Sequence, residues 1–110
     1  MAFNGKSLMD RLFGTKIESI QARDLKDPSS KVILDVREPE EVAQGKIPGA
    51  YVIPLGGLPT RKMELPKDVP IYVICRSGNR SKRACRYLKD EGFLCVNVEG
   101  GMLAYEGEVV

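Results

Sequence analysis

No histidine occurs in this chain, and no tryptophan. Without imidazole the commonest general base at neutral pH is missing. Three-His and Cys2His2 metal sites are excluded for the same reason. Cysteine is scarce, with only Cys75, Cys85 and Cys95. An odd number without a CxxC pair is no disulfide framework, and three thiols spaced ten apart are not a zinc pattern. Neither a metal nor another cofactor is therefore expected. Unpaired thiols fit a reducing compartment, so the expected location is cytoplasmic. Long apolar runs are also missing; none approaches the ~20 residues of a membrane span. Net charge is only +2, too little to argue for nucleic acid. No nucleic-acid partner and no membrane span are expected.

The composition that remains is 43% apolar and 29% charged, which is that of a globular domain and not a disordered segment. A chain of 110 residues can build one core without staples. Residues 1–15 read as an N-terminal extension folded as a short amphipathic helix. There Ser7 can cap the start, and Leu8 with Leu12 and Met9 with Phe13 pair at i,i+4. Lys6, Asp10 and Arg11 interrupt the apolar stretch that a leader peptide needs. Residues 16–110 read as a single domain.

Four short apolar runs punctuate that domain: "KVILDVRE", "AYVIPL", "VPIYVIC" and "FLCVNV". They are continuous rather than alternating, which predicts strands covered on both faces, as in a parallel sheet. "TKIESIQARDL" predicts one more edge strand and a turn of helix. Helical pieces lie between the strands. "EPEEVAQG" has Pro39 near a helix start and Gly45 past its end. "GGLPTRKMEL" is a shorter one. "SGNRSKRACRYLKDEG" is the longest, with Ser81, Ala84, Cys85 and Leu88 on one buried face, Lys82, Arg83, Arg86 and Lys89 facing out, and Gly92 as its stop. Strands alternating with helices predict an α/β fold: a central, mainly parallel sheet of about five strands with helices on both faces.

Ligands of such sheets bind beyond the carboxyl ends of the strands, and Cys75 stands at one. The loop "CRSGNRS" carries it into the long helix. Unpaired N–H groups at a helix start, the helix dipole, Arg76 and Arg80 all favour a thiolate there. Gly78 supplies the positive φ that a curled loop needs. A lowered thiol pKa would replace the missing histidine base. Cys85 and Cys95 read as core residues.

Three stretches, "VILDVREPEEVAQGKIPGAYVIPL", "YVICRSGNRSKRACRYLKDEGF" and "VEGGMLAY", together resemble a single-domain rhodanese of the thiosulfate sulfurtransferase family, over roughly residues 16 to 107. The resemblance implies that Cys75 takes a sulfane sulfur from thiosulfate, releasing sulfite, or from another sulfane-sulfur donor, and holds the sulfur as a persulfide. A thiol acceptor, small molecule or protein, or cyanide then collects it. Arg76, Ser77, Gly78, Asn79 and Arg80 would form the loop whose amides surround the sulfur. Asp35 and Arg37 would be structural supports tying a strand end to neighbouring loops. The chain has Lys46 where the family commonly has histidine, and Tyr105 where it often has tryptophan.

Two other functions share parts of this pattern. Phosphatases and arsenate reductases related to rhodaneses use a cysteine loop with five residues between Cys and Arg. Here there are four, which makes a ring better sized for one sulfur than for a tetrahedral oxyanion. Non-catalytic rhodanese-like binding modules usually lack the cysteine, and Cys75 is present.

Overall fold

The fold is taken from a computed structural model that describes residues 16–110. The amphipathic helix expected before residue 16 lies outside the described residues. Five strands form one sheet: β1 (Glu18–Gln21), β2 (Val32–Asp35), β3 (Tyr51–Val52), β4 (Ile71–Ile74) and β5 (Cys95–Glu99). Their order is β1-β5-β4-β2-β3, and every pairing is parallel. The α/β architecture predicted from the alternating runs is therefore the one that forms.

β4 is the central strand, flanked by β5 and β2, and these interior positions explain the unbroken apolar runs. Ile71, Val73 and Ile74 are fully buried, as is Leu34. Side chains alternate across the sheet, so two cores result. Leu34, Val73, Ala84, Cys85 and Leu88 belong to one face. Ile33, Ile74, Val98 and Ile47 belong to the other. The "AYVIPL" run yields only a two-residue strand. Pro54 has no N–H to add to a ladder, and Leu55 begins a 3-10 turn instead.

Among the described residues there are four α-helical segments: α1 (Pro39–Val42), α2 (Leu58–Arg61) and α3 (Asn79–Asp90) between strands, and α4 (Gly101–Ala104) after β5. Only α3 is long. Its end is set by sequence. Gly92 takes φ +95°, the Gly92 N–H bonds the Lys89 carbonyl, and the Phe93 N–H bonds the Leu88 carbonyl. This is the glycine-closed helix end in which the next apolar residue packs back on the last turn; Phe93 and Leu88 share the same core. α1 is one turn because Pro39 starts it and Gly45, at φ +139°, lies just past its end.

Candidate active site

The carboxyl end of β4 delivers Cys75 to the start of α3. Residues 75–78 make the turn between them, with Gly78 at φ +110°, a region an L side chain enters only under strain. The Cys75 sulfur faces inward and is 1% exposed. The Gly78 N–H donates to it at 3.1 Å and the Ser81 N–H at 3.3 Å. The Ser81 hydroxyl lies 3.4 Å away, placed to donate when the sulfur is a thiolate. Burial pushes the Cys75 thiol up. Hydrogen bonds from the Ser81 hydroxyl and from the backbone of Ser81, Gly78 and Ser77 outweigh it, and the thiol sits below its ordinary value.

The sequence pattern attributes this shift partly to arginine charge. Hydrogen bonds lead in the structure, with Arg80 interacting with Cys75 only through its charge. Arg80 is committed elsewhere: its Nη1 and Nη2 bond both carboxylate oxygens of Glu41 at 2.7 and 2.8 Å. A bidentate carboxylate cancels most of the charge expected to face an anion. Arg76 stands exposed on the loop, without an ion-pair partner among the described residues. Ser77 and Asn79 are exposed as well, while Gly78 is buried.

Glu41 also accepts the Glu38 N–H at 2.9 Å and so closes the first turn of α1. Arg80 chiefly, then the Glu38 N–H, holds its carboxyl down at about 2. Arg37 grips α1 from the other side. It bonds Asp35 through Nε and Nη2 at 3.0 and 2.7 Å, and its guanidinium donates to the Glu41 and Gly45 carbonyls. Asp35 and Arg37 are both buried. A chain of pairs thus runs from the end of β2 through α1 to the first turn of α3.

The other wall of the loop is α4. The Met102 N–H donates to the Cys75 carbonyl at 2.8 Å and the Leu103 N–H to the Arg76 carbonyl at 3.1 Å. Gly101, at φ +57°, permits this approach; a Cβ there would lie 2.4 Å from the Arg76 carbonyl oxygen. From β5, buried Asn97 donates to the Gly78 carbonyl at 3.3 Å. The loop is braced on its carbonyl side, so its N–H groups are left to turn inward.

Ser81, Glu41, Asn97 and Gly101 belong to this site although the sequence reading gave them no part in it. Ser81 was legible as buried but not as a sulfur ligand. Asn97 carried a signal, a polar residue inside an apolar run. So did the paired glycines Gly100 and Gly101 just after a strand. Glu41 carried none, since nothing in local sequence links it to a residue 39 positions away. Lys46 pairs its backbone with Val110. Tyr105 packs against the core that holds Ile74 and donates to the Glu108 carbonyl.

Beside the loop lies an open groove of about 590 Å³, bordered by Arg76, Met102, Leu103, Val109, Glu40 and Gln44. Among the described residues no His, Cys, Asp and Glu cluster is arranged to hold a metal ion, and no helix is long and apolar enough to cross a membrane.

A cysteine held at a strand end by the amides of a strand-to-helix loop, on an all-parallel sheet, defines an α/β domain built around a buried, hydrogen-bonded thiol. The Rhodanese-like domain pattern matches residues 19–108, and the chain belongs to that family. It is 42% identical over 89 residues to a sulfurtransferase of Allochromatium vinosum, covering 80% of this chain and 82% of that one. It is 34% identical over 91 residues to the thiosulfate sulfurtransferase GlpE of Pseudoalteromonas translucida, covering 82% and 87%. The crystal structure of a rhodanese-like domain protein from Staphylococcus aureus superposes with a TM-score of 0.78 at 38% identity, over 84% of this chain and 94% of that one.

Proposed function

We propose that this protein is a thiosulfate sulfurtransferase working through a persulfide on Cys75. The observation that carries the reading is the inward ring of donors on the Cys75 sulfur. The Cys75 thiolate attacks the outer sulfur of thiosulfate. The S–S bond breaks, and its electron pair leaves with sulfite. Cys75 then holds the transferred sulfur. An acceptor thiolate or cyanide attacks that outer sulfur and returns Cys75 as a thiolate. No step needs a base to activate the nucleophile, because the loop already favours the anion. The chain's lack of histidine is consistent with that.

Arg76 is the loop cation left to meet the thiosulfate dianion. Asp35, Arg37, Glu41 and Arg80 hold the loop's frame and do not touch the sulfur. The groove along Met102 and Leu103 gives an acceptor room to approach. Thiosulfate as donor is favoured by the likeness to the enzyme of Pseudoalteromonas translucida, which bears that name. The six-residue ring from Cys75 to Arg80 favours a single sulfur over a tetrahedral oxyanion, which needs donors aimed at several oxygens.

Steady-state transfer from thiosulfate to cyanide, measured beside aryl phosphate hydrolysis, tests the reading. Wild type should transfer sulfur and leave aryl phosphate intact, and Cys75→Ser should lose transfer while staying folded. Transfer efficiency should fall as salt rises, since screening acts over ~10 Å at 0.1 M. Efficient phosphate cleavage without sulfur transfer would overturn it.

A further inference from the structure

Two thiols that the proposed transfer leaves unused face each other under the middle of α3. Cys85 lies on the buried face of the helix and is 0% exposed; Cys95 opens β5 and is 9% exposed. Alternation along β5 turns Cys95 and Asn97 toward α3, whereas Val98 packs in the opposite core. Asn97 reaches Gly78, just ahead of the first turn of α3. Cys85 is nearly two turns further along the helix, and Cys95 is two residues back along the strand. Helix and strand therefore run past each other in opposite directions, and the two side chains enter the same core from its two sides. Both sit in the same core as Leu88 and Phe93, and they interact directly, with the Cys85 thiol as donor. Three of the four buried residues of α3, Ser81, Ala84 and Cys85, are small, which lets this part of the helix lie close to the strand.

Only Cys95 has an approach. It lines an open cavity of about 470 Å³ together with Pro70, Lys89, Phe93 and Leu94. Its thiol is held below the ordinary value by the Cys85 donor, against the opposing effect of burial and with help from Lys89. Cys85 is pushed far up, first by its role as donor and then by burial. A buried thiol that borders a cavity, with a second thiol behind it, is the arrangement of a redox pair. The apolar walls of the cavity favour a neutral oxidant over a charged one.

We propose that Cys95 and Cys85 form a hydroperoxide-reactive dithiol, distinct from the sulfur-carrying Cys75, in which Cys95 is oxidised and Cys85 closes a disulfide on it. The Cys95 thiolate attacks one oxygen of the hydroperoxide. The O–O bond breaks, the sulfur becomes a sulfenic acid, and the other oxygen leaves as water or an alcohol after taking a proton. The Cys85 sulfur then attacks the sulfenic sulfur. The S–S bond forms, the S–O bond breaks, and the hydroxyl leaves as water with the Cys85 proton. Two thiols have lost two hydrogens, and one peroxide bond has been reduced. The closed bond ties the helix that carries the Cys75 loop to the strand that carries Asn97.

The test uses the full chain bearing Cys75→Ser, so that the two inner thiols are the only ones able to react. It is treated with hydrogen peroxide, followed by intact mass and by digestion without reductant. The expected result is the loss of two hydrogens, faster than glutathione oxidises under the same conditions, reversed by a thiol reductant, with one cross-linked peptide pair joining positions 85 and 95. Adding Cys85→Ala should stop the reaction at a sulfenic acid on Cys95 that a 1,3-diketone traps. Oxidation no faster than glutathione, cross-links only between molecules, or oxygen landing on Cys85 while Cys95 stays reduced would each overturn the proposal. The first variant decides the question even where the double variant does not fold.

Discussion

Gly101→Ala is the substitution that most sharply separates a braced loop from a merely adjacent one. An added Cβ would lie 2.4 Å from the Arg76 carbonyl oxygen and 2.5 Å from that of Cys75. That is roughly 1 Å short of ordinary contact. Both obstacles are backbone, so neither can swing aside. Three costs follow. Alanine at φ +57° costs about 1 kcal/mol. Overpacking against fixed atoms costs about 1–3 kcal/mol. Retreat of the loop weakens the bonds from the Met102 and Leu103 N–H groups, at about 1 kcal/mol each. Gly49 supplies the control. It has φ +80°, and nothing lies within 4 Å of its Cβ position, so Gly49→Ala carries the backbone cost alone. Urea unfolding should show Gly101→Ala less stable than Gly49→Ala by about 1–3 kcal/mol or more. Iodoacetamide labelling of Cys75 should change in the Gly101 variant only. Equal destabilisation with unchanged labelling in both would refute the bracing of the Cys75 loop by α4.

Two further perturbations read the electrostatics. Ser81→Ala removes the hydroxyl donor and leaves the Ser81 N–H in place; the pH midpoint of Cys75 alkylation should rise toward that of an ordinary thiol, and an unmoved midpoint would mean the hydroxyl does not hold the anion. Glu41→Gln breaks the pair with Arg80. The folded carboxyl sits at about 2 against 4.5, so the unfolded chain binds the proton more readily, and the pair's contribution is present above the unfolded value and lost as pH falls from about 5 toward about 2. With both side chains roughly a quarter to a third exposed, that contribution is about 1–2 kcal/mol. The variant should be less stable by that amount at pH 7 and should converge with wild type at pH 2. A constant difference across the titration would contradict the assigned cause.

The strands were legible because their apolar runs are continuous, and only a sheet covered on both faces asks for that. α3 was legible from Ser81, Ala84, Cys85 and Leu88 at helical spacing and from Gly92 at its end. Cys75 stood out because a strand end, a glycine and a helix start fall within a few residues. The short elements were less clear, since β3, α1 and α2 hold two to four residues each and leave no period to read. That Arg80 is also paired was not legible, because its partner, Glu41, comes from another segment. A pairing between positions far apart in sequence leaves no mark in local spacing. The same holds for the meeting of Cys85 and Cys95, each of which looks like ordinary core when taken alone.

Intact mass of the sulfur-free protein after exposure to thiosulfate, followed by peptide mapping, tests the central claim most directly. The account predicts a gain of one sulfur atom, located on Cys75, removed by cyanide, and missing in Cys75→Ser. An unchanged mass, or a sulfur carried on Cys85 or Cys95 instead, would contradict it.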